Sequence, residues 1–115
     1  MGVSTHIYGF LGARFPWDAE LFEIFEEYLE NDREQDLPSH MFDYMSGEYH
    51  VLGIKLYNSG DFRWGMEGGD VYKEIDVTKF AEMEAGYKAK FLKKMPQFAH
   101  YMEKPFTMIM FTHYS

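Results

Sequence analysis

The chain has no cysteine among its 115 residues. That excludes a disulfide framework and any thiolate metal site, and it fits a reducing compartment. Proline is scarce, at four, so each one can be read as punctuation. Long apolar runs are missing too. The longest is Met108 to Phe111, far short of the roughly 20 residues that span a bilayer as a helix. Positive charge is in the minority, with 11 Lys and Arg against 19 Asp and Glu, for a net charge of -8. Phosphate backbones are neutralised by Lys and Arg, so this balance disfavours nucleic acid. It favours solubility or a basic partner. Met1 to Gly12 shows no basic segment ahead of an apolar run, so no secretory leader is expected. The expectation is a cytoplasmic protein without membrane contact, and at this length one domain over 1–115.

What the chain does have is aromatic surface: 11 Phe, 9 Tyr and 2 Trp, with 9 Met beside them. Thr5 to Leu11 is rich in β-branched and aromatic residues and reads as a strand, with Ile7, Gly9 and Leu11 on one face and His6, Tyr8 and Phe10 on the other. Gly12 to Trp17 reads as a connection, and Asp18 sits where an N-cap belongs. Leu21, Ile24, Phe25, Tyr28 and Leu29 follow helical spacing across 19–30, with Glu20, Glu23, Glu26, Glu27 and Glu30 on the opposite side. Asn31 to Pro38 is a polar loop. Ser39 to Met45 reads as a short helix stopped by Gly47. Alternation over 48–57 and again over 62–66, around the turn cluster Asn58–Asp61, predicts a hairpin. Val71 to Val77 extends the sheet. Thr78 caps a second helix with Phe80, Met83, Tyr87, Phe91 and Met95 as its apolar stripe. Pro96 ends that helix, Gln97 to Glu103 forms a separate turn or bent extension, and Phe106 to Tyr114 is the last strand, apolar on both faces.

Strand, helix, two strands, helix, strand is the order of an α+β, ferredoxin-like βαββαβ fold, with an antiparallel sheet of four to five strands and two main helices on one face. Ile24, Phe25, Phe80, Phe91 and Ile109 are the expected core. The uncovered sheet face should carry one face of the first strand, either Tyr8 and Phe10 or Ile7 and Leu11, with Tyr49 and Tyr57. With Ile7 in the core, the binding residues are Tyr8, Phe10, Tyr49, Tyr57, Arg63 and Trp64. An aromatic patch of that kind is seldom left unused.

Catalytic and metal patterns are weak. No H-E-x-x-H and no G-x-S-x-G occurs. His6 and His113 could meet on neighbouring strands, but no cofactor or metal is expected. Gly65 to Gly69 lacks the lysine of a phosphate loop, and Glu67 and Asp70 would repel phosphate. Ile7-Tyr8-Gly9-Phe10-Leu11 resembles the first-strand motif of RNA-recognition domains, which stack bases on sheet aromatics. The third-strand candidate, Asp61-Phe62-Arg63-Trp64-Gly65-Met66, departs from that family's pattern at most positions.

The composition therefore favours a small acidic, non-catalytic interaction protein. It would be an inhibitor or accessory factor, of the sort phages and other mobile elements use, binding a protein partner. The Glu row would face any basic partner, and the sheet aromatics would support a homodimer. The alternatives are a binder of small nucleotide-like molecules in an aromatic pocket and an RNA-recognition-like module.

Overall fold

The computed structural model describes residues 4–33, 37–61, 69–70 and 72–114. Among these, four strands form one antiparallel sheet: β1 (Thr5–Pro16), β2 (His40–Phe42), β3 (Tyr49–Asn58) and β4 (Thr107–Tyr114). Their spatial order is β2-β3-β1-β4. Helix α1 (Ala19–Glu30) joins β1 to β2, and α2 (Phe80–Lys94) lies between β3 and β4. A 3₁₀ turn at Val77–Lys79 leads into α2, and a 3₁₀ segment at Pro96–Glu103 follows it. The protein is thus α+β with a four-stranded antiparallel sheet.

The helix boundaries follow from side-chain chemistry. Asp18 Oδ1 accepts from the amides of Glu20 and Leu21 at 3.0 and 3.1 Å, which satisfies two donors that the first turn leaves free. Asp32 ends α1 with φ 55°, and the Arg33 amide reaches back to the Tyr28 carbonyl at 2.8 Å. An aspartate here takes the left-handed position more often held by glycine. The second helix is entered through Asp76, which accepts from the Thr78 amide and hydroxyl. The cap is therefore two residues earlier than the Thr78 that the sequence suggests.

Both helices pack on one face of the sheet. Leu21 and Phe25 from α1 and Tyr87 and Phe91 from α2 share a core with Leu11, Ala13, Phe15, Leu52 and Leu56, closed by Phe98, Tyr101 and Met102 of the 3₁₀ segment. Of the five expected core residues, Phe25 and Phe91 are buried, while Ile24, Phe80 and Ile109 are only half-buried. Ile24 and Phe80 sit on the flanks of their helical stripes, and Ile109 is on the sheet's terminal strand.

Three further expectations are corrected. β1 does not stop at Leu11 but runs on to Pro16, because Gly12, the first residue of the expected connection, pairs with Gly53 of β3. Residues 39–45 form no helix. They hold β2 and a turn in which the buried Asp43 carboxylate accepts from the Met45, Ser46 and Glu48 amides and the Ser46 hydroxyl. These bonds outweigh the burial that would raise its pKa, and hold Asp43 below the usual carboxylate range. Residues 72–76 are not a strand. β3 also forms a hairpin with β2; the expected hairpin partner at 62–66 lies outside the described residues.

One polar group sits uncomfortably in this core. His50 is fully buried between Phe15, Phe42 and Tyr101, with ring centroids 5.1 to 5.4 Å away. Neither ring nitrogen has a well-formed hydrogen bond among the described residues. Burial pushes its pKa down to about 4, against the pull of the Asp18 carboxylate and the Pro16 carbonyl. The unfolded chain therefore binds this proton more tightly than the folded one. Full stability is present above the ordinary value of 6.5 and is lost as pH falls from 6.5 to about 4. A displacement of that size corresponds to roughly 3 kcal/mol. His113, also lowered by burial, likewise loses stability as pH falls below 6.5. Asp18 and Asp43 act only below the His50 window, since their folded values lie under the ordinary carboxylate value. Urea midpoints should accordingly drop between pH 6.5 and 4, and His50→Leu should flatten most of that drop. An unchanged pH profile in the variant would contradict this account.

Candidate interaction surface

The face opposite the helices is not a flat platform. Tyr49 pairs with Pro16 at one end of β1 and His113 pairs with His6 at the other. Ten residues of extended chain span about 33 Å, yet the Tyr49 hydroxyl and His113 Nδ1 lie 3.4 Å apart. The sheet must therefore coil steeply, closing its helix-free face on itself. The bend is possible because Gly12 and Gly53 face each other across β1 and β3. A Cβ on either would come within 2.3 Å of the other strand's backbone.

Inside this concave face Tyr8, Phe10 and Val51 form a second small core, flanked by Met41, Tyr49 and Phe111. Phe10 is 0 % exposed and Tyr8 8 %. Phe111 lies 5.7 Å from Phe10 and 6.2 Å from Tyr49. The Arg14 guanidinium covers the Tyr49 ring at 4.4 Å and Lys55 Nζ covers Tyr8 at 5.0 Å, contacts that hold a cation on an aromatic face. Tyr8, Phe10 and Tyr49 are thus brought together, but largely against one another. Phe10 offers no face on which a base could stack.

Tyr57 is not part of this cluster. Leu56 is an extra residue in β3 where the register with β1 shifts between Gly9 and Phe10. Beyond that bulge Tyr57 lies opposite Gly9, 3.3 Å from where a Gly9 Cβ would stand, on the helix-bearing face. Arg63 and Trp64 lie outside the described residues. Glu20, Glu23, Glu27 and Glu30 are exposed along α1 and Glu26 is half-buried. His6 and His113 do meet as direct cross-strand partners. His6 Nδ1 lies 3.0 Å from Asn58 Oδ1. Among the described residues no group of three or more His, Asp or Glu could hold a metal ion.

What composition did not single out is β4. It is a terminal strand of the sheet, and its register with β1 runs unbroken from Thr107–Gly12 to Tyr114–Thr5. Alternation sends Ile109, Phe111 and His113 to the concave face. Met108, Met110, Thr112 and Tyr114 go to the helix-bearing face, where β4 lies beyond the helices. Met108 is 42 % exposed, Met110 65 % and Tyr114 51 %. No Asp, Glu, Lys, Arg or Pro occurs from Thr107 to Tyr114. A cleft of about 370 Å³ separates this strand from the β2–β3 turn, lined among others by Arg14, Asp43, Met45, Tyr49 and Phe111. The available signal was the charge gap: 26% of the chain is charged, and this stretch is not.

Among the described residues no helix is long and apolar enough to cross a membrane. No family model, curated protein or solved structure matches the chain.

Proposed function

We propose that this chain is a small acidic, non-catalytic interaction protein of the cytoplasm, an inhibitor or accessory factor that works by binding protein through β4. The observation that carries this reading is an eight-residue strand that among the described residues ends the sheet, with an exposed Met and Tyr strip and no charge. Met and Tyr are enriched at interface centres, where charged residues are depleted. The carboxylates of Asp18, Asp43 and Asp61, by contrast, are engaged in holding the fold, Asp43 and Asp61 from buried positions. Asp18 caps α1 and accepts from the Tyr101 hydroxyl at 2.5 Å, Asp43 holds its turn, and Asp61 accepts from the Thr5 amide at 3.1 Å. The scaffold reading that goes with this is a single ferredoxin-like domain, supported by the βαββαβ element order and by the sheet order β4-β1-β3-β2.

Affinity capture from the cells that make this protein tests the proposal, using wild type beside Met110→Lys. Met110 is exposed, so the variant should fold normally. Proteins retained by wild type and lost by the variant are the expected result. Identical captured sets would contradict a working surface on β4.

A second reading rests on the cleft beside β4. Arg14 and Tyr49 at its wall would suit a small anionic, planar ligand. Thermal stabilisation by a nucleotide or metabolite, abolished by Arg14→Ala, would favour it over the first.

A further inference from the structure

The geometry points to a two-fold homodimer in which β4 pairs antiparallel with β4 of a second copy, joining two four-stranded sheets into one of eight. This rests on the reading of β4 as the interaction surface and names its occupant.

A sheet edge displays unpaired amides and carbonyls, and proteins ordinarily blunt it. They use short strands, bulges, proline or an outward charge. The other edge of this sheet is blunted in that way. β2 has three residues and runs into the turn held by Asp43. β4 carries none of these devices. It is eight residues long, regular in register, and free of proline and charge.

Electrostatics leaves β4 as the place for a second copy, and the strand's self-complementary register names that copy as the occupant. Each copy carries a net charge of -8, so two copies repel over most of their surfaces. The neutral β4 is where they can approach without like charges meeting. A basic partner would instead be drawn to the Glu row of α1, on an element remote in sequence from β4.

Symmetry restricts the register. A two-fold axis perpendicular to the sheet reverses strand direction and keeps each face on its own side. Opposed residues must therefore share a face, so an axis midway between two consecutive residues is forbidden. Centring the axis on Met110 sets Met110 against Met110 of the second copy, Met108 against Thr112, and Ile109 against Phe111. This register covers the most exposed apolar residue of the strand with its own counterpart, and it continues the concave-face aromatics across the join.

Sedimentation velocity across a concentration series tests the pairing. Wild type should approach twice 13.7 kDa at tens of micromolar. Met110→Lys and Met110→Glu should each weaken association by at least about tenfold, because identical charges would then lie opposite one another. Mixing the two variants should restore a heterodimer. Thr112→Lys, on the same face, provides a second disruption at an exposed site.

A wild type that remains monomeric overturns the dimer, as do single variants that associate like wild type, or a ladder of larger oligomers in place of a closed pair. A monomer that still captures a protein through Met110 would overturn the dimer alone. Capture that is indifferent to Met110 would overturn the surface reading beneath it.

Discussion

Gly12→Ala is expected to abolish folding or come close to it. The added Cβ would stand 2.2 Å from the Leu52 carbonyl oxygen and 2.9 Å from the Gly53 Cα. Both are backbone atoms of the neighbouring strand, so no side-chain rotation can relieve the clash. The strands would have to separate at the Gly12–Gly53 crossing. Gly53 cannot yield easily, since its own φ is 153° and its missing Cβ faces the Leu11 carbonyl at 2.3 Å. A cost on the order of 4 kcal/mol or more follows, a large share of the 5–15 kcal/mol typical of a whole domain. Gly86→Ala is the internal control. It lies in α2 with nothing within 4 Å of the new methyl, and it should stabilise by roughly 0.4–1 kcal/mol. Denaturant titration followed by circular dichroism would compare the two. A Gly12→Ala protein with the wild-type midpoint would contradict the close crossing of β1 and β3.

Phe10→Ala should cost roughly 3–5 kcal/mol, the range for emptying a core phenylalanine site. The prediction distinguishes two pictures of the helix-free face. On an open platform, Phe10 would be wet and its removal would change stability by only about 0.5 kcal/mol. In the coiled sheet it is fully buried among Tyr8, Val51 and Phe111. Its loss leaves a cavity lined by residues of three different strands, which cannot collapse without straightening the bend. A loss below about 1 kcal/mol in the same titration would restore the open-platform picture.

The helices were legible because period 3.6 is a local property. Leu21 and Phe25, like Tyr87 and Phe91, are read directly from their spacing, and Asp18 announces α1. The strands were legible only where nothing interrupts alternation. Gly12, Arg14 and Pro16 look like a turn, yet they belong to β1, because a glycine in a bend and a glycine in a turn are the same letter. Ser39 to Met45 looks helical, since Asp43 holds its turn by bonds to residues ahead of it that sequence does not display. Tyr8, Phe10 and Tyr49 share one face, but alternation alone does not say which face of the first strand the helices leave uncovered. Tyr57 does not join them, because the extra residue Leu56 reverses the parity of everything beyond it. That the aromatic face would close on itself depends on the pairing of two glycines some forty positions apart, which no window along the chain contains. The exposure of β4 likewise depends on strand order and on where the helices end.

The claim that β4 presents a working edge is tested most directly by amide hydrogen exchange across Thr107–Tyr114. In a terminal strand, amides that bond to β1 are protected, while those on the outer edge exchange rapidly. The account predicts that at high protein concentration both sets are protected. The outer set should lose its protection on dilution and in Met110→Lys, while the inner set keeps it. Rapid exchange of the outer amides at every concentration, unchanged when captured partners are added, would show that nothing pairs with this edge and would contradict the account.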